Sequence, residues 1–350
     1  MTTYAGAGRW TGGTLSGVFR RKDDSDQSAD AWEQLGGGLI EGVQVQAITV
    51  HPDDSNIVFV GARDGLYRSN DAGTHWDKLA VPEGLQVWGV SVHPHNPRIL
   101  YAGTSPVGVL RSDDGGDTWR QLPSLGQPAH VKMAFACRVM RVAIDPANPD
   151  HLYIALEVGG AMRSTDAGQT WTDCAPALVR YAESFPHLRS RLQSDSENEG
   201  MLDAHAVCVS AAQPDTVFIA LRMGLFRSDD AGQSWNNMEV GRFSPLTYSR
   251  DIRVSTHDAR VLFACLSPAA ASQDGSLYRS GDFGASWQRL DHGIKARATM
   301  MGVAQDPRDA AAISCVSRCG QVFSTGDGGA TWNESLLPKG VLDTYAIARG

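Results

Sequence analysis

The sequence contains no apolar run approaching the 18 residues that a membrane-spanning helix requires, which excludes that class of membrane protein. Its start, Met1-Thr-Thr-Tyr-Ala-Gly-Ala-Gly-Arg9-Trp10, carries no apolar signal segment, so the expected location is the cytoplasm. Positive charge is not in excess. With 31 Lys and Arg against 39 Asp and Glu the net charge is −8, which gives no general attraction for nucleic acid or an anionic membrane. The cysteines (Cys137, Cys174, Cys208, Cys265, Cys315 and Cys319) lack Cys-x-x-Cys spacing and fall mostly within strand patterns. That favours buried free thiols in a reducing compartment over a disulfide or zinc framework. There is no Gly-rich phosphate loop, no nucleophile elbow and no Cys/His catalytic spacing. Nothing in the sequence requires a cofactor.

What is present is a repeat. Seven tryptophans, Trp32, Trp76, Trp119, Trp171, Trp235, Trp287 and Trp332, recur at intervals of 43 to 64 residues, and all but Trp32 close one phrase. It reads Ser69-Asn-Asp71-Ala-Gly73-Thr-His-Trp76 in one copy and Thr325-Gly-Asp327-Gly-Gly329-Ala-Thr331-Trp332 in the last. A period of this length signals a repeat architecture. Each copy opens with an alternating apolar run and a turn, such as Ile48-Thr-Val50-His51-Pro52. A second run (Ile57-Val-Phe59-Val) follows, and a third (Gly65-Leu-Tyr67-Arg68-Ser69) leads into the phrase, whose Trp begins a fourth. Period-2 alternation broken by turn signals predicts four antiparallel strands per copy. Within the phrase, Asp accepts hydrogen bonds from turn amides and Gly permits a positive φ. The Trp buries a large apolar face between sheets, and its N–H needs a partner. The recurring aspartates are therefore read as structural.

These residues resemble the Asp-box (BNR) repeat of sialidases, xyloglucan-degrading glycosidases, sortilin-type receptors and photosystem II assembly factors of the Ycf48 kind. The resemblance spans nearly the whole chain and implies a shared scaffold rather than a shared activity. The expected fold class is all-β: a seven-bladed β-propeller with four-stranded antiparallel blades, residues 1–350 forming one domain. The first copy is degenerate, with Gly17-Val-Phe19-Arg20-Arg21 and Trp32 separated by the polar stretch Lys22 to Asp30 in place of the phrase. Thr344-Tyr345-Ala-Ile347-Ala has the opening pattern with no repeat after it. The C-terminal strand is thus expected to complete the N-terminal blade, built from about 8–35 plus 344–348. Residues 172–202 are read as an insert. Leu178, Tyr181, Ala182 and Phe185 have helical spacing, Pro186 ends the helix, and Gln193 to Gly200 reads as a mobile polar loop.

Functional chemistry is sought where the repeats differ, on the face where the first strands begin. Two residues before the Ile48 position the copies carry Gln46, Trp88, Met140, His205, Arg250, Met301 and Tyr345. The next position holds Ala47, Gly89, Arg141, Ala206, Asp251, Gly302 and Ala346, so Arg141 and Asp251 interrupt a series of small residues. Loops between second and third strands place Arg63, Asp64, Glu157, Arg222 and Arg318 on the same face, and Arg138 and Asp203 enter nearby. One reading is a pocket at the channel mouth. Arg63, Arg138, Arg141, Arg222, Arg250 and Arg318 would hold a small anion, with Trp88 and Gln46 lining it and His205, Tyr345, Glu157 and Asp251 as catalytic candidates. The bland reading is that the charges pair, Arg141 with Glu157 for instance, and plug the channel.

Metal chemistry has little support. His93 sits at the turn position held by His51 and Asp145, and a site from His130, His187 and His205 has no ligand signature. Three functions remain open. A glycoside hydrolase would use two carboxylates from Glu157, Asp203 and Asp251, although the sialidase Arg-Ile-Pro phrase and the tandem propellers of xyloglucanases are absent. A non-enzymatic assembly factor would resemble the arginine-patched Ycf48 type and bind a protein. A third class of enzyme would use His205 or Tyr345 as acid or base beside an arginine-held anionic substrate.

Overall fold

The computed structural model describes residues 1–22, 32–126 and 135–350. The chain forms a seven-bladed β-propeller of four-stranded antiparallel sheets. In blade 2, Val45–Val50, Val58–Ala62, Gly65–Ser69 and Asp77–Lys78 succeed one another from the centre outward. Blades 3 to 7 repeat this order, beginning at Gln86–Val92, Val139–Ile144, Ala204–Val209, Tyr248–Val254 and Met300–Gln305. Blade 1 is ordered Asp343–Arg349, Thr2–Gly8, Gly17–Lys22, Glu33–Leu35. Its innermost strand comes from the C-terminus, and its second strand begins at Thr2 rather than near residue 8. The Tyr4-Ala5-Gly6-Ala7 run is short in large aliphatics, which hides a strand that pairs on both edges. The polar turn that replaces the phrase in this blade falls on residues 23–31, outside the described residues.

The recurring phrase forms one hydrogen-bonded turn each time. Asp71 Oδ1 accepts the His75 amide at 2.8 Å and the Ser69 hydroxyl at 2.8 Å, while Ser69 Oγ accepts the Gly73 amide at 2.7 Å. Asp114, Asp166, Asp230, Asp282 and Asp327 repeat the pattern. Gly73 has a φ of 90°, a left-handed conformation that favours glycine, and any Cβ there would strike Leu35 of blade 1. The aspartates are spent on turn amides.

The core is divided into seven apolar seams, each shared by adjacent blades. Trp76, for example, is buried with Tyr4 and Leu35 of blade 1 and with Val58 and Val60 of its own blade. Trp119, Trp171 and Trp332 donate their indole N–H to the Gly carbonyl of their own turn. Trp76, Trp235 and Trp287 find no partner among the described residues, against the expectation that every indole would.

The insert between blades 4 and 5 contains the helix Ala175–Ser184, with Leu178 and Ala182 fully buried in the seam shared by those two blades. Pro186 ends it and opens a 3-10 turn, Pro186–Leu188. The stretch expected to be a loose polar loop is tied down. Buried Glu199 accepts the amides of Leu192, Gln193 and Ser194 at 3.0, 2.9 and 2.8 Å, and the Ser194 hydroxyl at 2.8 Å. Serine and acidic composition suggested mobility because it does not reveal which carboxylate turns inward.

Candidate functional site at the channel mouth

Seven first strands approach one another around the axis, so little room is left for side chains there. A Cβ added at Gly89 would lie 3.0 Å from the Met140 carbonyl oxygen of the next blade. One residue earlier, every first strand contains a β-bulge. Registers skip at Val45/Ala47, Val87/Gly89, Val139/Arg141, Ala204/Ala206, Ser249/Asp251 and Met300/Gly302, and opposite Gly6/Ala7 in blade 1. The extra residues are Gln46, Trp88, Met140, His205, Arg250, Met301 and Tyr345. A bulge bends its strand and re-aims the extra side chain. Here all seven line the axial channel, a cavity of about 470 Å³. Trp88, His205, Arg250, Met301 and Tyr345 also line a second cavity of about 420 Å³ at the mouth.

Arg138, Glu157, Arg222 and Arg318 join that mouth cavity, as the sequence suggests. Trp10, Phe135 and Tyr248 and the insert residues Leu192, Gln193 and Glu199 also line it and were not anticipated. Trp10 stands on the connection between the second and third strands of blade 1, outside the tryptophan period, which was the one available signal. Arg141 and Asp251 do not reach the mouth. They lie below the bulge ring and pair across the channel, Arg141 Nη1 to Asp251 Oδ1 at 2.6 Å. Asp251 also accepts from Arg253 at 3.2 Å and from the Val303 amide at 3.3 Å. The break in the small-residue series is an ion-pair strut, so Asp251 is not placed to act on a ligand in the mouth. Arg63 lines neither cavity; it bonds Gln44 and packs over Trp10 at 5.3 Å.

The mouth arginines divide by their partners. Arg138 faces Glu157 at 2.6 Å and lies against Trp88, Phe135 and Trp10 at 4.1, 4.8 and 5.6 Å from their ring centres. Arg222 grips Asp203 through Nε and Nη2, each at 2.8 Å. Arg318 holds Asp343 at 3.1 Å and donates to the Ala270 carbonyl at 3.3 Å. Arg250 forms no ion pair among the described residues. Burial opposes its charge, but Tyr248, Glu157, Tyr345 and Asp203 around it more than compensate, so it is held firmly cationic.

The acidic groups are pushed apart. Burial raises the Glu157 carboxyl above its ordinary range despite Arg138. Burial also acts on Asp203, but His205 and Arg222 outweigh it and hold that carboxyl well below the usual range. Burial raises the Tyr248 and Tyr345 phenols. His205 is committed on both ring nitrogens. Nδ1 lies 2.8 Å from the Ser249 carbonyl, which only accepts, so that nitrogen carries a proton. Nε2 faces the Tyr248 hydroxyl at 3.3 Å and Asp203 at 3.4 Å. His205 therefore positions Tyr248 and Asp203, and its buried ring does not present a free nitrogen to the cavity.

The described members of the three-histidine metal arrangement are not brought together. His187 lines a separate cavity beside Phe185 and Val240, His205 lines the channel, and His130 lies outside the described residues. His93 Nδ1 caps its own turn, accepting the amides of His95 and Asn96 at 3.1 and 3.0 Å. The cysteines are free thiols, of which Cys174, Cys265 and Cys315 are buried. Among the described residues no helix is long and apolar enough to cross a membrane.

No family model and no curated protein matches the chain. Solved structures resemble it in fold. A GH74 enzyme from Niastella koreensis superposes with a TM-score of 0.63 at 19% identity, covering 87% of this chain and 46% of its own. The GH74 xyloglucanase from Xanthomonas campestris gives 0.62 at 18% identity, covering 86% and 46%. YCF48 bound to D1 peptide gives 0.56 at 14% identity, covering 90% of this chain and 86% of its own. This chain thus spans less than half the length of those GH74 proteins and most of the length of YCF48. At these identities the likeness establishes a seven-bladed propeller scaffold shared by an enzyme family and a peptide-bound protein.

Proposed function

We propose that this propeller binds a small anionic molecule, a carboxylate above all, in the pocket at its channel mouth, with Arg250 as the anion's partner. The observation that carries this reading is the inequality among the arginines. Arg138, Arg222 and Arg318 each have a carboxylate, whereas Arg250 is cationic, forms no ion pair among the described residues and has the Tyr248 hydroxyl as a hydrogen-bond partner. A guanidinium takes a carboxylate through two parallel hydrogen bonds, which suits a site selecting for that group. Trp10 and Trp88 supply flat faces beside it for an apolar or sugar-ring portion of the ligand.

A thermal-shift screen with short monocarboxylates, phosphate, sulfate and neutral sugars tests this. At about 100 times its dissociation constant a ligand stabilises by about 2.7 kcal/mol. Monocarboxylates should raise the wild-type melting temperature by a few degrees, and Arg250→Met should abolish the rise. A rise that survives in Arg250→Met would sink the assignment.

Two other readings have an observation behind them. The YCF48 structure with a D1 peptide, matched over most of both chains, favours a protein-binding role, and Trp10 and Leu192 are about half exposed at the rim. That reading predicts no response to small acids and loss of a peptide partner in Trp10→Ala. The opposed shifts of Glu157 and Asp203 match the protonated acid and ionised carboxylate of glycoside cleavage. That reading predicts turnover of an aryl glycoside, lost in Glu157→Gln.

A further inference from the structure

Following the first strands around the ring gives the order Gln46, Trp88, Met140, His205, Arg250, Met301, Tyr345 and back to Gln46. Counting from Arg250, Trp88 is third in one direction and Gln46 third in the other. These two bulge residues therefore stand together on the far side of the channel from the Arg250 guanidinium. Both are more than nine-tenths buried, and both are incomplete. Gln46 Oε1 and Trp88 Nε1 have no hydrogen-bond partner among the described residues. A buried acceptor and a buried donor left unmade each cost free energy that a paired group would not. By contrast, His205, the polar bulge residue next to Arg250, is engaged at both ring nitrogens.

We infer that Gln46 and Trp88 form a neutral polar subsite opposite Arg250, and that the ligand is a short monocarboxylic acid bearing a carboxamide or hydroxyl at its far end. This rests on the Arg250 reading and specifies the remainder of the molecule. A carboxamide or a hydroxyl donates and accepts at once, matching an amide oxygen beside an indole N–H. A second carboxylate would confront the Gln46 oxygen. An ammonium group would meet the Trp88 donor and the Arg138 guanidinium stacked on that indole at 4.1 Å. A purely apolar end would leave both buried groups unpaired. Arg250 and Trp88 line both the mouth and the channel cavity, whereas Gln46 lines only the channel, so the far end of the ligand points down the channel, whose volume of about 470 Å³ suits a small molecule.

Calorimetric titration of the full chain with acids of graded length tests this, each length supplied as the unsubstituted monocarboxylate, ω-hydroxy acid, ω-amide and dicarboxylate. At the best length the ω-amide or ω-hydroxy acid should bind roughly tenfold more tightly than the unsubstituted acid, and the dicarboxylate no more tightly. Gln46→Leu and Trp88→Phe should each remove most of that preference, read as the ratio of the ω-amide's or ω-hydroxy acid's affinity to that of the unsubstituted acid in the same variant. Because Trp88 also carries Arg138, Gln46→Glu provides an independent check, since it should transfer the preference to an ω-ammonium acid. Equal affinities across the series, with binding still lost in Arg250→Met, would overturn the neutral subsite and leave the anion site standing. No heat with any member, the unsubstituted acids included, would overturn both.

Discussion

Removing the Arg141–Asp251 strut, singly and doubly, gives a quantitative test of whether the channel is held by charge below its mouth. The guanidinium nitrogen and carboxylate oxygen are 2.6 Å apart, and the side chains are 21% and 3% exposed. Charge centres about 4 Å apart interact by about 4 kcal/mol at an effective dielectric of 20. A wholly orphaned buried charge costs about 3–5 kcal/mol. Asp251 would not be orphaned by Arg141→Met, because Arg253 at 3.2 Å and the Val303 amide at 3.3 Å remain. We therefore expect that variant to lose about 2–3 kcal/mol, and Asp251→Asn to lose a similar amount by leaving Arg141 facing an amide. The double variant should fall short of the sum by about 1.5–2.5 kcal/mol, the coupling energy of the pair. Urea unfolding at neutral pH measures all four corners. Burial raises the Asp251 carboxyl, but Arg141 and Arg253 outweigh it, so its folded pKa lies below the unfolded value. Its contribution is then fully present above about pH 4 and lost as the pH falls through the folded pKa. The Asp251→Asn variant should accordingly lose less than wild type on acidification. Additive single variants, within about 0.5 kcal/mol, would refute a direct charge coupling. Carboxylate binding at Arg250 should survive in Arg141→Met, because the strut lies beneath the ring that carries the site.

Two further outcomes follow from the fold. The six turn aspartates accept hydrogen bonds from Ser or Thr hydroxyls and backbone amides of their own turns, which lowers their folded pKa values, to about 2 for Asp166, where the Thr170 hydroxyl is the largest cause. Their stabilisation should persist above about pH 4 and disappear as the pH drops toward 2, so acid unfolding monitored by tryptophan fluorescence should be cooperative in that window. Asp166→Asn should flatten that acid limb, and an unchanged limb would show that the turn carboxylates do not drive it. Truncation of residues 343–350 removes the innermost strand of blade 1 and the Asp343 that holds Arg318 and Thr11. The truncated chain should fail to give a cooperative thermal transition, whereas a native-like melt would refute closure by this strand.

Much of the architecture was legible because repetition amplifies a weak local signal. One Ser-x-Asp-x-Gly turn is ambiguous, but six before a Trp predict the hairpin, the sheet and the blade count together. Blade 1 was blurred at its start, where Tyr4 to Ala7 offers few large aliphatics and pairing on both edges supplies the order. Aligning the repeats also identified the ring of Gln46, Trp88, Met140, His205, Arg250, Met301 and Tyr345. What it could not supply was the bulge that turns these residues into the channel. Nor could it distinguish Arg250 from Arg138, Arg222 and Arg318, because partner choice depends on distances between blades. Asp251 looked catalytic by its position and became structural once Arg141 reached it from two blades away. The polar stretch of 193–200 looked loose until Glu199 turned inward onto three amides.

The sequence alone determined the period, the strand-and-turn chemistry and the closed ring of seven blades, because these follow from local hydrogen bonding and from alternation repeated along the chain. Tertiary structure alone decided which charges are neutralised, which face the cavity and which buried polar atoms remain unpaired. Those properties arise where residues about a hundred positions apart converge on one axis, and Coulomb and desolvation energies there depend on separation in space rather than along the chain.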